Sequence, residues 1–235
     1  MKIVFVKMCR LNLLLAILFV PMAISCQGSS KGQAQQPETK LPPPSLKSDY
    51  SVEQALQSRR SVRTYSPGAL SLEELGQLLW AAQGITEPTR KLRSAPSAGA
   101  TYPLILYAIV DQVETLAAGF YRYLPETHSL KLVKSGNIKA EVTARATRQG
   151  SVAQAPVILV FAADLDRIRP RYRERSERYT FMEIGHAAQN VHLQCEALGL
   201  GTVCIGAFEE STLKQALELP DEQIPFYLMP VGKKN

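Results

Sequence analysis

Two unbroken apolar segments constrain the fold of this chain more than any other feature. They read LILYAIV at 104–110 and PVILVFAA at 156–163, and branched side chains are frequent in both. An apolar run without alternation is typical of a strand that is covered on both faces. The sequence therefore predicts two central strands of a sheet that lies between other layers.

Capping signals predict helices before these strands. Ser51 with Gln54, and Ser71 with Glu74, have the spacing of a capping box. Gly84 follows the apolar positions of the second helix and predicts its end. The residues between the two helices are therefore predicted to form a loop.

Further elements are predicted after residue 110. The segment 119–133 alternates on either side of a PETH turn and predicts a hairpin. Segments 202–208 and 224–232 predict a further central strand and a last strand. Apolar residues at spacings of three and four predict a long helix that ends before Gly199. Its buried face is predicted to comprise Phe181, Ile184, Ala188, Val191, Cys195 and Leu198.

The N-terminus resembles a targeting segment. Three basic residues precede the uncharged run LNLLLAILFVPMAIS, which is short for a bilayer span and suits a signal peptide. Cys26 follows small residues, as in a bacterial lipobox, so we expect a lipidated Cys26; an ordinary signal peptide or an uncleaved anchor are the alternatives. Residues 1–26 are then the leader, 27–48 a flexible linker and 49–235 the folded domain. The expected location is the cell envelope, membrane-anchored and facing away from the cytoplasm.

Charge and cysteine content exclude several classes of protein. The formal charge of +6 includes three basic leader residues, so without them it is 24 minus 21, or +3. A field this weak argues against nucleic-acid binding. No cysteine or histidine spacing resembles a zinc site, so no metal is expected. Cys195 and Cys204 leave a disulfide open.

The loop between the first two helices is unusually basic. Arg59, Arg60 and Arg63 accompany Ser61 in the sequence SRRSVRTYSPGAL. Forked guanidinium donors and a hydroxyl suit a phosphate group, although a solvated charge run has the same composition. The basic segment 167–178 is expected to be a mobile solvated loop, with phosphate or substrate binding as the alternative.

Four motifs that follow one another along the chain favour phosphate binding by the arginine-rich loop over a solvated charge run. RRSVRTY, RSAPSAGATYPL, GHAAQNVHLQCEALGLGTVCIGAF and the terminal PVGKK resemble, in order and rough spacing, the FMN-dependent nitroreductase superfamily, and most closely its SagB/ThcOx-type dehydrogenase subgroup. The resemblance spans residues 51–234. It implies an α+β fold, a mixed β-sheet flanked by helices, and a homodimer with FMN at the subunit interface.

The resemblance also implies a set of cofactor-binding residues. Arg59, Arg60 and Ser61 would hold the FMN phosphate and ribityl chain, and Arg63 would lie at the N1/O2 edge of the ring, where a fixed cation favours reduction. The partner subunit would contribute a segment with Pro96, Ser97, Ala98 and Ala100. The segment over the ring face, where a backbone N–H would meet flavin N5, comprises Cys204, Ile205, Gly206 and Ala207. Two terminal cations, Lys233 and Lys234, would complete the phosphate site.

The implied activity is flavin-dependent oxidoreduction by a ping-pong mechanism. SagB-type relatives oxidise azoline rings in peptides, whereas other superfamily members reduce nitroaromatics or quinones with NAD(P)H, so the small-molecule electron donor and acceptor stay open. A membrane-tethered flavoprotein that passes electrons to a partner without small-molecule turnover is the alternative. No catalytic side chain is assigned, because nucleophilic use of Cys204 needs a neighbouring base that the sequence does not show. Two partners stay open for Arg93, namely the cofactor and a surface carboxylate.

Overall fold

The computed structural model describes residues 38–235. The predicted leader, Cys26 and the first part of the predicted linker lie outside this range. Within the range, no helix is both long enough and apolar enough to cross a membrane.

The described residues form one seven-stranded sheet and a small two-stranded one. Neighbouring strands of the large sheet are antiparallel, in the order β1-β6-β5-β4-β7-β9-β8, and β2 pairs with β3. The strands are β1 (Glu38–Lys40), β2 (Ile85–Glu87), β3 (Leu92–Arg93), β4 (Leu104–Val110), β5 (Gly119–Leu124), β6 (Ser129–Ser135), β7 (Val157–Asp164), β8 (Leu200–Thr202) and β9 (Gln223–Lys233).

The two apolar segments are the central strands β4 and β7. They pair from Leu104 opposite Ala163 to Val110 opposite Val157, and every residue of β4 is buried. Alternate residues of β4 belong to two separate cores, one on each face of the sheet. The prediction of strands covered on both faces is confirmed.

Helices cover both faces of the sheet. α2 and α6 pack into one core, and α3 and α7 pack into the other. The helices are α1 (Val52–Ser58), α2 (Leu72–Gln83), α3 (Ile138–Arg145), α4 (Gly150–Gln154), α5 (Arg169–Tyr172), α6 (Ser176–Ala197) and α7 (Glu210–Leu217). Both capping boxes are present, at Ser51 and Ser71. The predicted α+β class with a helix-flanked sheet is confirmed. Within residues 38–235, parallel pairing is limited to isolated bridges such as Ser61–Thr202.

Three local predictions are wrong. Segment 202–208 is not a central strand, because β8 ends at Thr202 on the sheet edge and the chain then crosses toward α7, with a single bridge from Ile205 to Leu228. Phe181 is 50% exposed, because it packs edge-on against Phe226 rather than into the core. Segment 167–178 is largely helical, since it contains α5 and the start of α6.

The folded domain also begins before residue 49. β1 extends the sheet, and Leu41 is buried against the core. Beyond it, the Gln77 side chain accepts from the backbone N–H of Ser45 at 2.8 Å and donates to its carbonyl at 3.1 Å. Residues 38–45 therefore belong to the domain rather than to a flexible linker.

Candidate functional site

The arginine loop, residues 59–66, runs beside the C-terminal strand. The Val62 N–H donates to the Thr202 carbonyl at 2.9 Å, and the Ser66 N–H donates to the Lys233 carbonyl at 3.0 Å. At the chain end, the Lys234 N–H donates to the Gly199 carbonyl at 3.2 Å. These bonds bring the predicted basic loop and the terminal lysines together, although about 170 residues separate them in sequence.

Two glycines allow the arginine loop to approach the sheet closely. A Cβ atom on Gly201 would lie 2.6 Å from Cγ1 of Val62, and one on Gly232 would lie 2.6 Å from Cγ of Tyr65. The single Tyr65 hydroxyl proton is shared between the carbonyls of Val62, at 3.2 Å, and Pro230, at 3.1 Å. The loop is therefore held by packing as well as by backbone hydrogen bonds.

Both terminal lysines pair with carboxylates. Lys234 Nζ donates to Glu196 Oε2 at 2.5 Å, and Ser58 Oγ donates to the same oxygen at 2.8 Å. Lys233 Nζ donates to Glu74 Oε1. Burial raises the pKa of Glu196, but the hydrogen bonds from Lys234 and Ser58 outweigh it and hold the pKa below its ordinary value. The lysines thus lie beside the arginine loop, with their charges already partly compensated.

The three arginines of the loop differ from the lysines in this respect. Within residues 38–235, none of Arg59, Arg60 and Arg63 forms an ion pair with a carboxylate. Arg60 Nη1 donates to the carbonyls of Gln57, at 3.0 Å, and Arg59, at 2.8 Å. Ser61 and Arg63 are exposed. The loop therefore carries an excess of positive charge that can bind an anion.

The segment 203–207 continues directly from β8 beside this loop. Cys204 Sγ lies 3.6 Å from Nε2 of His192 on α6. Burial, with a smaller contribution from Arg59, lowers the pKa of His192 to about 4; burial raises the pKa of Cys204 to about 11. The structure thus supplies the neighbouring imidazole that the sequence did not reveal, but both groups are neutral near pH 7. Beyond them, Gly206 and Ala207 are exposed.

The segment 96–102 forms a tight turn elsewhere on the surface. Gly99, Ala100 and Tyr102 all have positive φ, at 58°, 53° and 47°. Ser97 Oγ accepts from the Tyr102 N–H at 2.9 Å. Strained backbone of this kind, in which two of the three residues are not glycine, is frequent at binding sites.

Two arginines from the predicted mobile segment stabilise this turn. Arg171 Nη1 donates to the Gly99 carbonyl at 3.1 Å, and Arg167 Nη1 donates to the Tyr102 carbonyl at 3.3 Å. Arg167 also pairs with Asp164 at 3.2 Å. Their charges are used to hold backbone carbonyls, which explains why segment 167–178 is structured.

A polar cluster adjoins the turn, and sequence analysis singled out only Arg93 among its members, which here pairs with a surface carboxylate. Arg93 donates to Gln83 Oε1 at 2.8 Å, pairs with Glu126 at 3.5 Å and lies 4.4 Å from the centre of the Tyr102 ring. Glu183 of α6 is 1% exposed, and neither carboxylate oxygen has a hydrogen-bond partner among the described residues. Burial raises its pKa to about 7, against smaller opposing effects of Ser97 and Arg93.

The predicted site residues thus occupy two regions of one subunit. The arginine loop, segment 203–207 and the terminal lysines come together near the C-terminal end of α6, where Glu196 lies. The turn 96–102 lies near Glu183, in the N-terminal half of the same helix. These glutamates are 196 minus 183, or 13, residues apart, which corresponds to about 20 Å along a helix.

The antiparallel sheet between helical layers, with the basic arginine loop beside its C-terminal strand, defines an α+β protein. The sequence profile of the Nitroreductase family matches residues 56–233. The match covers most of the chain and includes the arginine loop and the terminal strand. The chain belongs to the nitroreductase family.

Comparisons with individual proteins agree with this membership. The chain is 41% identical over 186 residues to a provisionally named nitroreductase of Methanocaldococcus jannaschii, covering 79% of this chain and 92% of that protein. It is 26% identical over 172 residues to the Escherichia coli microcin B17-processing protein McbC, covering 71% of this chain and 63% of that protein. A provisionally named nitroreductase structure from Ralstonia eutropha superimposes with a TM-score of 0.75 at 27% identity, covering 86% of this chain and 91% of that chain.

Proposed function

We propose that this protein is an FMN-dependent oxidoreductase that works by a ping-pong mechanism. The observation that supports the proposal most strongly is the arginine loop, whose three guanidinium groups have no carboxylate partner within residues 38–235. An unpaired basic loop next to the chain terminus is a fitting site for the phosphate of a bound nucleotide. Family membership is consistent with a redox role.

The residues present fit FMN. Arg59, Arg60 and Ser61 would hold its phosphate and ribityl chain, and Arg63 would supply positive charge at the edge of its ring. Exposed Gly206 and Ala207 leave backbone N–H groups accessible on the neighbouring segment. When bound, the flavin supplies hydride and electron transfer, so the protein needs to provide only binding, orientation and electrostatics.

The terminal lysines would contribute less to binding of the FMN phosphate than their charge suggests. Lys234 shares Glu196 with Ser58, and Lys233 is paired with Glu74. A phosphate near Lys234 has to compete with a carboxylate that is already in place. We propose that the arginines provide most of the phosphate affinity and that Lys234 contributes after partial release from Glu196.

A homodimer is part of the proposal. Glu183, near the turn, is about 20 Å along α6 from Glu196, near the arginine loop and terminal lysines of the same subunit. A second copy is therefore better placed to bring Pro96, Ser97, Ala98 and Ala100 to that loop. Apolar surface is available for an interface: Phe181 and Met182 of α6 are 50% and 52% exposed, and Val52 and Leu56 of α1 are 62% and 57% exposed. These residues would be covered in the dimer.

We propose the SagB/ThcOx type of chemistry, with dehydrogenation of a ring in a peptide, as the more specific activity. McbC carries a microcin-processing name, and it is related to this chain over 172 residues. Reduction of nitroaromatics or quinones with NAD(P)H is the other activity that the family allows. Anaerobic titration of the flavin-loaded protein with NADH and NADPH separates the two, because only the second activity requires reduction by a nicotinamide.

A flavoprotein that passes electrons to a protein partner without small-molecule turnover is the second candidate. Steady-state assays with nitroaromatic, quinone and oxygen acceptors test it. Repeated turnover supports the enzyme, whereas one rapid reduction without turnover supports the carrier. No observation in the described residues favours the carrier.

We also retain the proposal of a lipid anchor at Cys26, based on sequence alone. Cys26→Ser in the full chain should move the protein from the membrane fraction to the soluble fraction, and it should abolish incorporation of labelled fatty acid. Equal partition of variant and parent would contradict the anchor without affecting the flavin proposal.

The FMN site is tested by replacing its phosphate donors. Arg59→Ala combined with Ser61→Ala should lower flavin retention, at about 1 to 3 kcal/mol for each lost charge-assisted contact. Arg175→Ala combined with Ser135→Ala, which removes an exposed arginine and an exposed serine elsewhere, is the matched control. Flavin content is measured by absorbance after gel filtration. Equal flavin content in the two double variants would contradict the assignment.

A further inference from the structure

The carboxyl group of Glu183, a residue of α6, is buried, and within residues 38–235 it forms no hydrogen bond that would stabilise the fold. Its side chain is 1% exposed, and both oxygens lack a hydrogen-bond partner among the described residues. A buried carboxylate without a partner is costly, and such groups usually serve a function or hold a proton. In the same cluster, the amide oxygen of Gln83 accepts from Arg93. The amide nitrogen of Gln83 is also buried, and it has no hydrogen-bond partner within the described part of the chain.

The groups around Glu183 include a hydroxyl in the exposed turn. α6 packs against the turn at residues 98–100, and Ser97 and Arg93 oppose the effect of burial on the pKa of Glu183. Arg93 is engaged with Gln83 and Glu126 and is also influenced by Tyr102 and Arg167. On α6 itself, Tyr179 packs against Tyr172, and His186 is exposed. Ser97 and Tyr102 both place a hydroxyl in the turn 96–102, but only Ser97 is among the groups that influence Glu183 itself.

The hydrogen bonding of Ser97 suits it for proton transfer. Its oxygen accepts from the Tyr102 N–H at 2.9 Å, which leaves its own hydrogen for another acceptor. Ser97 is half-buried, and its neighbours Pro96, Gly99 and Ala100 in the turn are exposed. The positive φ angles at Gly99, Ala100 and Tyr102 hold the turn in this arrangement.

We propose that Glu183 stores the proton that accompanies hydride transfer and exchanges it with the reacting substrate through the Ser97 hydroxyl. The inference rests on the proposed function. Because Glu183 acts through Ser97, it is a positioning residue that holds and replaces the Ser97 proton.

The proton balance closes over the two half-reactions. When an organic acceptor such as a quinone gains a hydride and a proton, Ser97 gives its hydrogen to the acceptor and takes the hydrogen of the Glu183 carboxyl group, which becomes a carboxylate. When a donor ring loses a hydride and a proton in the other half-reaction, the same path returns the proton to Glu183. In each full cycle, Glu183 therefore gives up one proton and takes up one proton.

The test combines kinetics with a measurement that needs no flavin. Flavin-loaded, pre-reduced protein is mixed with a quinone in single-turnover experiments from about pH 5 to pH 9. The parent rate should fall about tenfold per pH unit above the Glu183 titration. Glu183→Gln and Ser97→Ala should each react about 100-fold more slowly at low pH and lose this dependence. Glu177→Gln, at an exposed acid of the same helix, should behave as the parent.

The second measurement is the infrared carboxyl band of flavin-free protein. A band that is present in the parent and absent in Glu183→Gln should disappear as the pH rises through neutrality. A parent-like pH profile in Glu183→Gln, or no such band, overturns the inference while flavin binding stands. Failure of the parent protein to bind flavin overturns the proposed function and the inference together.

Discussion

The Nζ atom of Lys234 donates to the carboxylate of Glu196 at 2.5 Å, so the last turn of α6 holds the side chain of a residue at the C-terminus. Ser58, directly before the arginine loop, donates to the same carboxylate oxygen. One carboxylate therefore links the beginning and the end of the proposed phosphate site. It stabilises the arrangement of the site, but it also offsets part of the positive charge.

Removing the Glu196 charge should therefore tighten FMN binding. Glu196→Gln frees Lys234 for the phosphate, and we expect the dissociation constant to fall roughly tenfold, or about 1.4 kcal/mol. The constant is measured by fluorescence quenching of added FMN. Glu177→Gln, on the exposed side of α6, controls for the loss of one negative charge. Weaker FMN binding in Glu196→Gln would contradict this expectation. It would mean that Glu196 helps FMN binding more by holding the site together than it hinders it by competing with the phosphate for Lys234.

The contact between Gly201 and Val62 should be essential to the position of the arginine loop. In Gly201→Ala the new Cβ would lie 2.6 Å from Cγ1 of a stiff β-branched side chain. We expect a loss of about 1 to 3 kcal/mol in the free energy of unfolding, together with reduced flavin content.

The second change Val62→Ala should restore part of this loss, because it removes the two opposing methyl groups but keeps the Cβ atom, which lies 2.7 Å from the new atom. Gly150→Ala, where nothing lies within 4 Å of the new atom, is the control for the substitution itself. The measurements are urea unfolding and flavin content. Gly201→Ala with parent-like values for both would contradict close packing of the loop.

The free energy of unfolding should depend on pH through Glu183. Burial raises the pKa of Glu183 from 4.5 to about 7, so the folded state binds a proton that the unfolded state has released between these values. The stabilisation from the protonated carboxyl group is fully present below about pH 4.5 and is lost as the pH rises through about 7, with an upper magnitude of about 3 kcal/mol.

Glu183→Gln tests this pH dependence, because it keeps the shape of the side chain without the titration. Urea unfolding of flavin-free protein at several pH values should show a decline for the parent between about pH 5 and pH 7 and a reduced decline for the variant. Parallel curves would show that Glu183 does not titrate in this range.

The exposed residue Phe181 tests the dimer. Phe181→Glu introduces a charge into the apolar surface that the proposed interface would cover, and we expect the molar mass in sedimentation to fall to that of a monomer. Val133→Glu, at another exposed apolar position on β6, should leave the mass unchanged. A monomeric parent, or a dimeric Phe181→Glu variant, would contradict the proposed interface.

Local signals in the sequence predicted much of the fold. The capping boxes at Ser51 and Ser71 and the apolar strands β4 and β7 depend on neighbouring residues or on simple periodicity, and they were predicted correctly. Phe181 shows the limit of periodicity, because its spacing fits the buried face while its helix turn packs beside Phe226 at the surface. The spacing of apolar residues does not reveal where a helix leaves the core.

The details of the site depend on contacts between distant parts of the chain. The pairing of Lys234 with Glu196 and Lys233 with Glu74, and the approach of His192 to Cys204, follow from the path of β9 and α6. Glu183 looked like an ordinary helix residue, since its burial arises from the packing of α6 against other parts of the fold. The sequence revealed the basic groups of the loop and of the C-terminal segment, but not the carboxylates that pair with the two lysines.

Purification of the full chain and measurement of its absorption spectrum and flavin content test the central claim most directly. We predict a yellow protein with flavin absorption bands and close to one FMN per chain, released as FMN on denaturation. A colourless preparation that takes up no added FMN, while its circular dichroism shows a folded protein, would contradict it.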